Sequence, residues 1–551
     1  MEDGWLALTP HLLSGIWTLH QNAHPPKLWI DALCINQIDH VEKEGQIPLM
    51  AKIYGLAEKT LVWLGDGTEE SKLVMTAIRD ETLLDSLDAV EGQLRNEDMW
   101  ERSAIHPKGH VFWSGLFQVF SNPFFTRLWI LQEILREDKV DLFMGSCGIP
   151  FQTLRFLIVI LGMKQSYFPL DHEVLDITMK NARMVIVNLS VIADSLSKSG
   201  PADAIRDCTL LLFTRDCCVT EPVDNIYALY SMFTDHTRSE MAVDYSEVSK
   251  REYWRVYTRL GISMVKSDYT FFHFLLAIAE STIEVEEMPS WCPNWNSPKF
   301  TSTIETGKAG FSENIEEMVH TPLIRTNGSI QYPGFELDRI KHTISLDIRT
   351  YGAQVLQDIL DIMLKCECLV RGKDSDKRLA RTLIANSLRT EFDFSERYEG
   401  DILGDYIFTK NALLSRQSQS PSQSQFPHTP FSSNSETAPL SYGRYMSGLQ
   451  DLWHNRSFFV TENGLMGLCS ARGQVGDAVV VFLGADLPSV LRERSGDPDD
   501  ENELPDIEGK RKGKMVEVGY RFVCEAYVDG VMDGEAFEAR DVSKDREFVI
   551  F

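Results

Sequence analysis

The sequence predicts an α/β protein of several parts: a parallel, doubly wound sheet within residues 1–150, a mainly helical region over 151–415, and a small antiparallel β unit over 451–551. Three observations carry that expectation. Short β-rich apolar runs alternate with amphipathic segments near the N-terminus, the signature of strands joined by crossover helices. Helical periodicity dominates the middle. Turn-punctuated β runs return after a Ser/Gln/Pro-rich break at residues 416–440.

In order along the chain, Lys27-Leu-Trp-Ile-Asp31 reads as a short strand ending in a carboxylate. Gln46–Lys59 reads as a helix, with Ile47, Met50, Ile53, Tyr54 and Ala57 recurring at three- and four-residue steps. Thr60-Leu-Val-Trp-Leu-Gly65 is β-rich and closes on the turn Gly65-Asp-Gly67. Beyond a charged insertion, Asn122-Pro123 marks a helix start carrying Phe125, Leu128, Trp129 and Leu131. Val140–Gly145 is the next strand. In the middle, helices are expected over Leu154–Met163, Asp176–Lys198, Ser249–Lys266 and Gly352–Met363. The stretch Arg416–Pro439 lacks the apolar content to bury a core and reads as a flexible linker. Strands follow at Arg456–Thr461, Ala478–Leu483 and Tyr520–Tyr527, with turns at Glu462-Asn-Gly464, Gly476-Asp477 and Asp529-Gly530.

Composition narrows the functional class. Lys plus Arg number 54 against 81 Asp plus Glu, a net charge of −27, so phosphate backbones are repelled and no nucleic-acid partner is expected. The N-terminus has no basic, apolar leader, and no run of about 18 uncharged apolar residues occurs, so neither secretion nor membrane spanning is expected. The ten cysteines are scattered without a Cys-x-x-Cys pair, which fits reduced thiols in a cytoplasmic protein and no metal site.

Several ordered motifs resemble the fungal heterokaryon incompatibility (HET) domain family. They are Leu28-Trp-Ile-Asp-Ala-Leu-Cys-Ile-Asn-Gln37 with Glu44, Gln46, Met50, Ile53-Tyr54, Ala57 and Val62-Trp-Leu-Gly65; Asn122-Pro-Phe-Phe-Thr-Arg-Leu-Trp-Ile-Leu-Gln-Glu-Ile134 with Gly145; and Glu221-Pro-Val-Asp-Asn-Ile-Tyr-Ala-Leu-Tyr230 with Asp244-Tyr-Ser246 and Met288-Pro-Ser-Trp-Cys-Pro-Asn-Trp295. The tail adds Phe459-Val-Thr461, Gly464, Gly467, Gly476-Asp477, Pro488, Leu491-Arg492, Glu525-Ala-Tyr527 and Gly534-Glu535. The family's usual opening strand, Tyr-x-Ala-Leu-Ser-Tyr-x-Trp-Gly, has no counterpart, and Trp5–Ser14 instead resembles the helix that follows it. The chain is therefore expected to lack that first strand, by loss or by a truncated reading of the gene. Val223 stands where the family usually carries Arg.

The resemblance implies a TIR-like, flavodoxin-type α/β domain and a role in allorecognition, innate-immune-type signalling and programmed cell death. It implies self-association through the α/β domain and a protein partner or trigger of unstated identity. In NAD-cleaving TIR domains a helix carries Trp-x-x-x-Glu with a catalytic glutamate; here Trp129 and Glu133 have that spacing, and i to i+4 would place both on one helix face. The resemblance thus assigns Glu133 as catalytic carboxylate, with Asp31, Asn36, Gln37 and Trp129 about the nucleotide. NAD enters as substrate rather than cofactor. Each assignment has a plainer alternative. Glu133 could pair with Arg127 or Arg136 on the surface; Asp31, Asn36 and Gln37 could cap their own loop. Trp29, Trp63 and Trp129 could be core aromatics, Cys34 a small buried thiol, and Asp224 a helix cap. A non-catalytic interaction module and a degenerate paralogue are the rival readings of the whole.

Overall fold

The computed structural model describes residues 8–21, 27–80, 111–134, 137–163, 203–266, 285–297, 321–346, 354–372, 374–387, 400–417, 452–494 and 518–551, with a few isolated positions between them. The chain divides into two compact units, Met1–Val256 and Tyr257–Phe551.

The first unit is built on a three-stranded sheet of order β1-β2-β3: β1 is Thr60–Trp63, β2 Val140–Met144 and β3 Cys147–Pro150. β1 and β2 run parallel, with Val62 opposite Leu142, but β3 returns antiparallel through the Gly145-Ser146 turn. The sheet is therefore mixed, a correction to the all-parallel expectation. Gly145 adopts φ +56° and its N–H reaches the Gly65 carbonyl at 2.8 Å, which locks the turn to the end of β1. Helices Glu69–Arg79 and Val111–Phe120 pack over the sheet through Val74, Met75, Ile78, Phe112, Leu116 and Val119, all but removed from solvent. Helix Pro10–Gln21 meets β1 where Gly15 lies against the Trp63 indole.

Two local expectations are corrected. Lys27–Asp31 is not a strand: Ile30 is extended (φ −134°, ψ 119°), but the segment pairs with no strand among the described residues, and Asp31 opens a one-turn helix, Asp31–Cys34. A three-residue apolar run, Leu28-Trp-Ile30, whose Leu28 stays 40% exposed has neither partner among the described residues nor burial to hold it in a sheet. Asn122 does cap a helical start, accepting from Phe124 N–H at 3.0 Å, but only a 3₁₀ turn, Pro123–Thr126, follows. Arg127 is extended and bridges to Cys218, so the α-helix begins at Ile130 and ends at Ile134. Trp129 thus precedes the helix that carries Glu133.

The expected helix over Gln46–Lys59 appears as His40–Gln46, a 3₁₀ turn and Met50–Leu56. Ser249–Lys266 is split at Glu252-Tyr253 into Glu247–Arg251 and Trp254–Val265. Leu154–Met163 lies within Phe151–Met163, and the expected Gly352–Met363 overlaps helix Gln354–Leu369 from Gln354 onward, whereas Gly352, Ala353, Asp176–Lys198 and the linker beyond Gln417 lie outside the described residues.

The second unit is an eight-stranded sheet. β4 is Leu323–Ile324, β5 Ile330–Ser345, β6 Arg456–Thr461, β7 Met466–Ser470, β8 Ala478–Phe482, β9 Ser489–Glu493, β10 Gly519–Val528 and β11 Arg546–Ile550. The pairings β5–β6–β7–β10–β9–β8–β5 close on themselves, so six strands form a barrel; β11 lies between β10 and β5, and β4 adds to β5. Closure removes the sheet edges that would otherwise invite aggregation. The sixteen-residue β5 reaches three neighbours in turn: β11, then β8, then β6, with register shifts at Glu336/Asp338 and Ile340/His342. The segment read as mainly helical therefore supplies the longest described strand. Helices Gln354–Leu369, Ser375–Leu383 and Ile402–Gln417 pack beside the barrel in a separate apolar cluster with Trp453 and Tyr445. The turns expected at Gly464, Gly476 and Gly530 are present, each glycine at positive φ (+85°, +92° and +81°).

Candidate functional site in the N-terminal unit

The expected site residues come from two places. One is the loop and short helices of residues 29–46; the other is the helix Ile130–Ile134.

The loop is organised by its own polar side chains. Asp39 caps helix His40–Gln46, accepting from Val41 N–H (3.0 Å) and Glu42 N–H (3.2 Å). Asn36 accepts from Ile38 N–H at 3.2 Å and donates its own backbone N–H to Glu42 Oε1 at 3.0 Å. Gln37 Nε2 donates to the Asp31 carbonyl at 3.2 Å. Asn36 and Gln37 are therefore exposed residues engaged in holding the turn. Cys34 is exposed, not the buried thiol that its sequence context favours.

Behind the loop, Trp29 meets Tyr54 edge-on, ring centroids 5.6 Å apart. Tyr54 is half-buried, and its phenol is held far above its usual range, first by burial and then by the negative charge of Glu133 and Asp31, with Arg127 opposing. Glu133 feels the same neighbours. Burial pushes its carboxyl up to about 7; Arg127 pulls it down and Asp31 pushes it up again. Asp31, Tyr54, Arg127 and Glu133 thus form one electrostatic cluster drawn from four separate elements. Glu133 makes no ion pair with Arg127 within 4.0 Å, and Arg136, the other surface partner considered, lies outside the described residues. A half-buried carboxyl without a hydrogen bond among the described residues is free to meet a ligand.

Trp129 faces elsewhere. Its Nε1 donates to Asp224 Oδ2 at 3.2 Å, and the Tyr245 hydroxyl donates to the other oxygen of the same carboxylate. Asp224 is 5% exposed and heads helix Asp224–Tyr227, yet its side chain makes no capping bond, so the expectation of a helix cap is corrected. Burial raises the Asp224 carboxyl, while the bonds from Tyr245 and Trp129 and the nearby Lys43 charge counter it. Lys43 Nζ stands 3.8 Å from the Tyr245 ring centroid, and Glu44 Oε1 accepts from Tyr245 N–H at 2.8 Å. Gln132, beside Glu133, donates from Nε2 to the Ala228 carbonyl at 2.7 Å.

The sequence names Glu133 and Asp31, and the structure brings both to one cluster. Tyr54 went unassigned because it falls on the apolar stripe of its helix, where a tyrosine reads as core. Tyr245, quoted only within Asp244-Tyr-Ser246, and Lys43 went unassigned, because spacing along the chain does not show that Tyr245 reaches Asp224 or that Lys43 lies over its ring.

Residues 2–133 match a family model described as heterokaryon incompatibility protein (HET), and residues 431–504 match one described as the Het-6 beta-barrel domain. The chain is similar to heterokaryon incompatibility protein 6, OR allele, of Neurospora crassa, at 21% identity over 93% of this chain and 81% of that protein. No solved structure matches. The first matched segment ends on Glu133; the second holds β6 to β9, and the strands that close the barrel, β5 and β10, flank it.

Proposed function

We propose that this chain, which matches the heterokaryon incompatibility (HET) and Het-6 beta-barrel family models, is a HET domain protein that serves in allorecognition signalling ending in growth arrest or cell death. In this reading the N-terminal unit cleaves the nicotinamide–ribose bond of NAD, with Glu133 as the carboxylate. The observation that carries the reading is the Glu133 carboxyl itself: half-buried, without an ion pair among the described residues, and flanked by Tyr54, Asp31 and Arg127.

The chemistry asks little more of the site. Departure of nicotinamide builds positive charge on the ribose, and an ionised carboxylate in a poorly solvated setting stabilises that charge more than one in water would. Nicotinamide leaves neutral, so no general acid is needed, and a water molecule adds to the ribosyl cation and gives up a proton to the solvent. The cationic ring of the substrate also favours ionised Glu133 on binding, drawing its carboxyl down from about 7. In this reading the exposed Arg127 meets a phosphate of the substrate.

The test is release of nicotinamide from NAD by the purified full chain, concentrated enough to self-associate. Wild type is expected to release it and Glu133→Gln is expected not to. Undiminished release by Glu133→Gln removes the assignment. Overexpression toxicity that survives Glu133→Gln favours instead a scaffold that binds a partner through the same unit. The exposed Ile38 (89%), Val41 (77%) and Leu56 (76%) beside the loop are the observation behind that second reading.

A further inference from the structure

The helix that carries Glu133 is a single short turn and a half, Ile130–Ile134, too short to hold its own geometry in water. Something outside it must fix where Glu133 points. Two side chains that precede that carboxylate do so, and both reach the same turn of chain. Trp129, at the head of the helix, donates its indole N–H to Asp224 (3.2 Å); Gln132, adjacent to Glu133, donates to the carbonyl of Ala228 (2.7 Å). Asp224 and Ala228 are the two ends of helix Asp224–Tyr227, and Tyr227 and Ala228 are fully buried. The helix of Glu133 is thus tied on one side to a buried segment some ninety residues later in the chain, leaving Glu133 on the side of Asp31 and Tyr54.

The tie is itself braced. Tyr245 donates to the second Asp224 oxygen and packs against Tyr227, ring centroids 5.3 Å apart. Lys43 lies over the Tyr245 ring and Glu44 accepts its backbone N–H, so the bracing chain returns to the helix that follows the 31–39 loop. A buried carboxylate that bonds two aromatic donors and caps nothing has no local task to explain it.

We propose that Asp224 is a positioning residue for Glu133, acting through Trp129 and braced by Tyr245, and that the turn from Glu221 to Ala228 is thereby part of the candidate active site. The inference rests on the reading of Glu133 as the working carboxylate. It concerns how that carboxylate is held, so the two can fail separately. With the tie cut, the helix loosens, Glu133 gains solvent, and its titration falls back toward the ordinary range. The groups facing Glu133 are Tyr54 from helix Met50–Leu56, Asp31 from helix Asp31–Cys34 and Arg127 from the preceding extended segment, and none of these is altered by the substitution.

The experiment uses the full chain as wild type, Asp224→Ala, Asp224→Asn and Tyr245→Phe. Nicotinamide release from NAD is followed from pH 5 to pH 9, together with thermal melting and the infrared carboxyl band assigned to Glu133 by difference against Glu133→Gln. Expected for Asp224→Ala is a loss in kcat of tenfold or more with KM changed less than threefold. The Glu133 midpoint is expected to move down by at least one pH unit, at a folded fraction near that of wild type. Asp224→Asn keeps one acceptor oxygen and is expected to recover part of both; Tyr245→Phe, which keeps the Trp129 bond, lies nearer wild type. An Asp224→Ala protein with unchanged kcat and unchanged midpoint overturns the proposal, as does a loss that follows the unfolded fraction alone. If wild type releases no nicotinamide, the NAD reading fails and the infrared midpoint decides: moved in Asp224→Ala, the positioning role stands; unmoved, it falls.

Discussion

Glu133 concentrates the account at the scale of one residue. Its carboxyl ionises in the folded chain near 7, against about 4.5 unfolded, so between those values the native state holds the proton that the unfolded state has lost. Stability therefore falls as pH rises from about 4.5 to about 7 and stays lowered above. Replacing Glu133 with Gln removes that penalty. Urea denaturation is expected to show Glu133→Gln more stable than wild type by about 1–2 kcal/mol at pH 8, with the difference nearly gone at pH 5. The same substitution is expected to abolish nicotinamide release. A residue that costs stability and is needed for activity is what a working site predicts. Part of this was legible in the sequence. The Trp-x-x-x-Glu spacing pointed to Glu133, but the face-sharing argument behind it does not hold, because Arg127 is extended and Trp129 precedes the helix. Tyr54 and Asp224 stayed hidden for a physical reason. Each has a plain local role available, core stripe or cap, and only the fold reveals the distant partner that claims it instead.

At the scale of elements, close approach of helices and strands does the organising. Helix Val111–Phe120 crosses helix Glu69–Arg79 at Gly115, where an added Cβ would fall 2.3 Å from the Glu70 carbonyl oxygen and 2.9 Å from Val74. The obstacle is backbone, which cannot swing aside. Gly115→Ala is expected to push the helices apart and cost about 1–3 kcal/mol, seen as a drop in the melting temperature. In the second unit, Asp529 is 3% exposed, accepts from Arg378 Nε and forms an ion pair with Arg381 Nη2, each at 2.9 Å, which docks helix Ser375–Leu383 beside the β10 turn. Removing the carboxylate costs two charge-assisted contacts to partly exposed guanidinium groups, so Asp529→Ala is expected to destabilise the unit by about 1–3 kcal/mol, read by chemical denaturation. The sequence showed β6, β8 and β10, each beside a glycine turn, but not β4, β7, β9 or β11. It hid β5, whose Pro333 and Gly334 look like strand breakers and whose two register shifts interrupt the alternation. It also suggested a strand at Lys27–Asp31, because apolar content announces β character but not a partner to pair with.

For the molecule as a whole, barrel closure sets what can fold. The segment that matches the Het-6 beta-barrel domain, residues 431–504, holds β6 to β9 but neither β5 nor β10, which join the ends of that run. Expressed alone, residues 431–504 would leave β6 and β8 without β5, and β7 and β9 without β10. The fragment is expected to be unfolded or aggregated, whereas residues 257–551 are expected to give dispersed amide resonances and a cooperative melt. The first unit carries the candidate site by itself: Asp31, Tyr54, Arg127, Glu133, Asp224 and Tyr245 all precede Val256. The central claim is that this unit works through the Glu133 carboxylate. Its most direct test is the pH profile of nicotinamide release from NAD by the full chain, beside Glu133→Gln. The account predicts release that rises through about pH 7 as the carboxyl ionises and is lost in Glu133→Gln. Absence of release at every pH, or release that Glu133→Gln leaves intact, contradicts it.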